Sequence, residues 1–144
     1  MNKENTETLF NDFPILYRGR HEPITQNLMS FGFECGDGWF QLIYDLSKQI
    51  SKICPRVKAM QVKEKFGALR FYVSGVQKDK ADPIFELIEE AESKSLTTCE
   101  VCGDVETTKI GTTKGSNWIR ALCKKCRRKD EERIKGGHQY EGVE

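Results

Sequence analysis

Cys99-Glu100-Val101-Cys102-Gly103 and, farther along, Leu122-Cys123-Lys124-Lys125-Cys126 are the stretches on which the reading of this chain turns. Two thiolates separated by two residues can bite one ion when the backbone between them makes a tight turn. Gly103 permits such a turn because glycine tolerates left-handed geometry. Two such pairs complete a tetrahedron, the arrangement of a structural four-cysteine zinc site. The spacing predicts one zinc held by Cys99, Cys102, Cys123 and Cys126, with iron as the rival through its own four-thiolate sites. A closed set of four protein ligands leaves no position for water or substrate, so the ion would hold the fold and do no chemistry. A redox Cys-x-x-Cys needs a helix start following a strand in a longer α/β unit, and no such pattern surrounds either pair. Cys35 and Cys54 stand alone beside apolar residues and read as packed thiols.

The rest of the composition agrees with that assignment. The chain has 144 residues, 23 Lys plus Arg against 22 Asp plus Glu, and 38% hydrophobic residues. That is enough apolar material for one domain, or one domain with a small module, and too little for a membrane protein. The first residues are mostly polar and carry both charge signs, unlike a secretory signal, so a cytoplasmic, reducing setting is expected. There, paired thiols mean metal. The near-neutral total hides an acidic first third and a basic segment from Thr107 to Lys135. Met1 to Glu7 and residues 136–144 read as loosely tied, the latter as a disordered tail.

Upstream of the cysteines, Trp39, Ile43, Leu46, Ile50 and Ile53 recur at helical spacing after Gly36-Asp37-Gly38. This predicts an amphipathic helix over 38–53, with Asp37 as its cap and Pro55 as its stop. Val57–Lys65 and Ala68–Ser74 alternate as strands around Phe66-Gly67, a β-hairpin that directs Met60 and Val62 inward and Lys63, Lys65 and Arg70 toward water. Asp82-Pro83 announces a second helix, with Asp82 as cap and Ile84, Leu87, Ile88, Ala91 and Ser95 on its buried face. Glu86, Glu89, Glu90 and Glu92 fall off that face and read as solvated. Between the cysteine pairs, 106–110 and 117–122 read as short strands, and a helix runs from Lys124 to about Lys135. The whole is an α+β fold: a helix, hairpin and helix layer (8–97), a zinc-binding module (98–135) and a tail (136–144).

Knuckle, hairpin, then a helix starting at the second pair resembles the treble-clef class of zinc fingers. Trp118-Ile119-Arg120-Ala121-Leu122-Cys123-Lys124-Lys125-Cys126 resembles its GATA-like variant, although Lys replaces the asparagine expected inside the second pair. Gly36-Asp37-Gly38-Trp39, Gln61 to Val73, Ala91-Glu92-Ser93-Lys94-Ser95 and the cysteine pairs together resemble a family of small bacterial and phage-encoded proteins. That resemblance implies a phage or mobile-element accessory protein, one that counters host defence.

Function is read more thinly than metal. His21 and His138 neighbour no nucleophile, the glycines form no phosphate loop, and Glu64 and Lys65 are adjacent, so they cannot share a strand face. A non-enzymatic binding protein with a protein partner is therefore expected, and Lys63, Glu64, Lys65, Arg70 and Tyr72 at the hairpin are its candidate surface. An alternative binds DNA or RNA through the basic helix, using Lys114, Trp118, Arg120, Lys124, Lys125, Arg127 and Arg128. A second alternative is a metal-dependent nuclease. Nothing in the sequence sets the oligomeric state.

Overall fold

The hairpin is the centre of the architecture. In the computed structural model, which describes residues 1–137, strands β2 (Lys58–Lys65) and β3 (Ala68–Ser74) pair antiparallel around a two-residue turn. Both turn residues, Phe66 (φ 54°) and Gly67 (φ 82°), are left-handed, as a tight hairpin of this twist requires. A register irregularity between Ala59 and Gln61 rotates the start of β2, so Ala59 is buried and Met60 only half so. Sequence alternation alone assigns Met60 to the inside. A short strand that the sequence does not announce, β1 (Phe33–Glu34), joins β2 in parallel, giving the order β1-β2-β3.

One face of this sheet carries Phe33, Val62, Leu69 and Phe71, all buried, against helix α2 (Phe40–Ile53) and helix α3 (Ala81–Ser95). Ile43, Leu46 and Ile50 of α2 and Ile84, Ile88 and Ala91 of α3 meet there at the spacing expected of amphipathic helices. Trp39 and Tyr17 are fully buried among them. Ser47 Oγ donates to the Ile43 carbonyl at 2.7 Å, and Tyr17 Oη in turn donates to Ser47 Oγ at 2.6 Å, so the phenol is satisfied inside the core.

The amino-terminal segment is ordered, contrary to its polar composition. Helix α1 (Lys3–Asp12) begins at Asn2, whose side chain accepts from the Asn5 amide at 2.8 Å, and its buried Leu9 joins the core. Asp37 binds this segment in place of capping α2: its carboxylate accepts from Asn2 N (2.8 Å) and Asn5 Nδ2 (3.1 Å). Helix α2 is entered instead through a 3-10 turn, Asp37–Trp39. Helix α2 thus starts at Phe40, two residues later than expected, whereas α3 starts earlier than expected, at Ala81 after another 3-10 turn, with no side-chain cap from Asp82. Pro83 is tolerated because first-turn amides have no intrahelical acceptor.

Glu92 is not a solvated side chain. Strand β3 is an edge, and Glu92 Oε2 accepts from Phe71 N at 3.0 Å while Ser95 Oγ accepts from Leu69 N at 2.9 Å. Helix α3 thus closes the exposed edge with its own side chains, which blocks pairing with another strand. Beyond it lie β4 (Lys109–Thr112), β5 (Ile119–Leu122) and α4 (Lys124–Lys135), the hairpin and helix of the cysteine module. Of the expected tail, Gly136 and Gly137 follow α4 in a turn, and 138–144, with His138, lie outside the described residues.

Candidate metal centre

Each cysteine pair is placed by a hydrogen-bonded turn. After α3 ends, Cys99 N donates to the Asp104 carbonyl (2.8 Å) and Gly103 N to the Cys99 carbonyl (2.9 Å), with Gly103 at φ 83°. This loop brings Cys102 back over Cys99. The second pair straddles the start of α4: Cys123 is the N-cap, and its sulfur accepts from Cys126 N at 3.3 Å. A thiolate is well placed there, because helix N-terminal amides favour negative charge.

The four Sγ atoms lie within 4.8 Å of one another, and all four cysteines are free thiols. Cys102 Sγ and Cys123 Sγ are 3.6 Å apart. A tetrahedral ion with metal–sulfur bonds of about 2.3 Å requires sulfurs about 3.8 Å apart, so the cluster fits one small tetrahedral cation. Cys99 and Cys123 are buried, Cys126 is half-buried and Cys102 exposed. Burial resists ionisation of Cys99, but amide donors from Cys102, Cys123 and Val101 outweigh it and bring the thiol down to about 7. Burial and the neighbouring sulfurs push Cys126 up, and burial raises Cys102. Four sulfurs this close together are completed by a cation, whose positive charge offsets that of the thiolates.

The α+β layer grips the first knuckle directly. Gly38 N donates to the Glu100 carbonyl at 2.7 Å, and Trp39 Nε1 to the Thr98 carbonyl at 2.8 Å. A Cβ on Gly38 would lie 2.0 Å from the Cys99 oxygen, and one on Gly36 2.3 Å from the Glu100 oxygen. The two glycines of Gly36-Asp37-Gly38-Trp39 are therefore required by close backbone approach. Glu100 is buried, with Oε2 accepting from Gly36 N at 2.9 Å and Oε1 3.7 Å from Arg120 Nε. Burial pushes its carboxyl up against the pull of the Arg120 guanidinium.

The hairpin tip grips the other side. Glu64 is buried, accepting from Gly67 N at 3.0 Å and from Trp118 Nε1 at 3.2 Å. Arg120 lies over the Trp118 ring, 4.3 Å from its centroid. Three residues expected on binding surfaces, Glu64, Trp118 and Arg120, instead form a polar seam between sheet and cysteine module. Arg127 is half-buried and engaged within the module: its guanidinium donates to the carbonyls of Lys109 (2.7 Å), Gly111 (3.1 Å) and Arg120 (3.2 Å), and to Thr113 Oγ1 (3.3 Å). It clamps α4 to the β4-β5 hairpin. Of the basic set, Lys114, Lys124, Lys125 and Arg128 are exposed. At the central hairpin, Lys65 and Tyr72 are exposed, and Lys63 and Arg70 half-exposed.

Sequence reasoning missed Thr107 and Asp104. Thr107 Oγ1 accepts from Lys124 N at 3.0 Å, and Asp104 Oδ2 accepts from Thr107 N at 2.9 Å, linking the two knuckles. The Asp-x-x-Thr spacing is the only local signal for this pair of turns.

A concavity of 720 Å³ between α2, α3 and the first knuckle includes Asp37, Asp45 and Glu90. Each is already engaged, by Asn2 and Asn5, by Gln41 (2.9 Å) and by Lys94 (3.2 Å) respectively. Comparison with known proteins gives no matching family model, no matching curated protein and no matching solved structure. No helix among the described residues is long and apolar enough to cross a membrane.

Proposed function

We propose that this chain is a non-enzymatic binding protein in which one zinc ion staples the two cysteine pairs of the C-terminal module together. The observation that carries the reading is the convergence of Cys99, Cys102, Cys123 and Cys126 sulfurs within 4.8 Å. Four thiolates of tetrahedral spacing favour zinc, and a closed donor set supports a structural role. Zinc binding then acts as folding energy for the module, because its small hydrophobic cluster of Cys99, Leu122 and Cys123 holds little on its own.

A binding role accords with how the polar residues are used. The carboxylate of Glu64, the candidate for nuclease chemistry, is occupied by Trp118 and Gly67 donors. His21 is exposed at the opposite end of the sequence from the cysteines. A nuclease would cleave plasmid DNA with added metal and lose that activity in Glu64→Ala; a binding protein shows no such cleavage. An accessory role in a phage or mobile element is what the resemblance to small bacterial and phage-encoded proteins implies.

The direct test is elemental analysis of purified protein with native thiol titration. One zinc per chain and four protected thiols are expected. Neither zinc nor iron, with all six thiols freely reactive, refutes the reading.

A further inference from the structure

The sheet has a second face. Strand register places Gln61 opposite Tyr72, Lys63 opposite both Arg70 and Glu34, and Lys65 opposite Ala68, on the side away from Val62 and Phe71. Tyr72 is 44% exposed there, and among the described residues Lys63, Lys65 and Arg70 form no ion pair within 4.0 Å. Glu34 is the one carboxylate on the strands of this face and accepts from Gln61 Nε2 at 3.3 Å; at the far end Lys58, opposite Ser74, is paired with Glu22 at 2.7 Å.

The tip of the hairpin adds an independent observation. Phe66 is the only non-glycine residue at positive φ among the described residues, a conformation disfavoured for a bulky side chain. Its ring is 67% exposed, with Lys65 Nζ 5.7 Å from its centroid. The turn would form more easily with Asn or Gly at this position. A strained, exposed aromatic at the end of a cationic strand face is retained against folding preference, which points to a contact outside the chain.

We propose that this face, Tyr72, Arg70, Lys63, Lys65 and Phe66, binds single-stranded nucleic acid. The inference rests on the binding-protein reading above and names its ligand class. Three cations against one carboxylate suit a phosphate backbone, and two aromatic rings at opposite ends supply stacking platforms. Gln61, opposite Tyr72, lies four positions before Lys65 at the turn, so the two ends of the face are about 13 Å apart along the strands. That is room for two or three splayed bases, as on other aromatic-bearing sheets. A duplex presents no unstacked bases to such rings. An acidic protein segment would satisfy the cations but give the rings no stacking partner.

The test uses the full chain, zinc-loaded, and a fluorescein-labelled oligothymidylate of about ten nucleotides, followed by anisotropy at low salt. Saturable binding is expected, with affinity falling about fivefold or more in Phe66→Gly and in Tyr72→Ala. Lys63→Gln with Arg70→Gln should flatten the dependence of affinity on salt. Phe66→Gly separates binding from folding, because relief of the positive φ should raise Tm while affinity drops. Binding that survives Phe66→Gly and Tyr72→Ala, or is lost in Lys124→Gln/Lys125→Gln/Arg128→Gln, overturns the proposal in favour of the basic helix. Absence of binding, or displacement by polyglutamate as effective as by unlabelled oligonucleotide, also overturns it. Because the metal content is measured separately, zinc-loaded protein that ignores the oligonucleotide defeats this inference and leaves the stapled binding protein standing.

Discussion

Gly38→Ala measures how far the metal module depends on the layer beneath it. Gly38 lies in the 3-10 turn Asp37–Trp39, so on local conformational grounds alone alanine should stabilise the chain by about 0.5–1 kcal/mol. Packing reverses the sign. The new Cβ would lie 2.0 Å from the Cys99 oxygen and 2.6 Å from the Glu100 carbonyl carbon, whereas carbon–oxygen contacts settle at about 3.3 Å or more. The loop or the knuckle must withdraw by about 1 Å. That movement breaks the 2.7 Å bond from Gly38 N to Glu100 O and strains the 2.8 Å bond from Trp39 Nε1 to Thr98 O. Overpacking and the stranded polar groups together cost about 3–6 kcal/mol, a large part of a stability of about 5–15 kcal/mol. Urea unfolding of the zinc-loaded protein gives the stability, and competition with a chelating dye gives the zinc affinity. Both should fall, because the displaced carbonyl belongs to a ligand residue. If Gly38→Ala matches wild type within about 0.5 kcal/mol, the close approach is not a constraint and the argument fails.

Other expectations follow from named contacts. Cys123→Ser should abolish stoichiometric zinc, and chelation of the wild type should lower Tm to a similar degree, seen by calorimetry with metal analysis. Arg127→Lys keeps the charge but loses the fork that reaches four acceptors, so stability should fall by about 1–3 kcal/mol in denaturant titration. Lys124→Gln/Lys125→Gln/Arg128→Gln, all exposed, should shift it by less than about 0.5 kcal/mol. Glu92→Ala with Ser95→Ala removes the acceptors of Phe71 N and Leu69 N, so hydrogen exchange at those two amides should accelerate and aggregation increase.

What the sequence determined by itself was whatever lies within a few neighbouring residues. Cysteine spacing announced the knuckles, the step from Ile43 to Leu46 to Ile50 announced α2, and Phe66-Gly67 between alternating runs announced the hairpin, because each pattern is produced by one element's own geometry. Where local polarity was the only guide it misled: the polar first turn of α1 is anchored by Asn2 and Asp37, and Glu92 serves a strand twenty-one residues earlier in the chain. Only the tertiary structure decided why Gly36 and Gly38 are glycines, and why Glu64, Trp118 and Arg120 face inward. Those constraints join residues as far as sixty-four positions apart, such as Gly36 and Glu100. A contact between distant segments leaves no period in either one, so its physical cause, two backbones or two charges forced together by the packing of a shared core, exists only once the chain has closed.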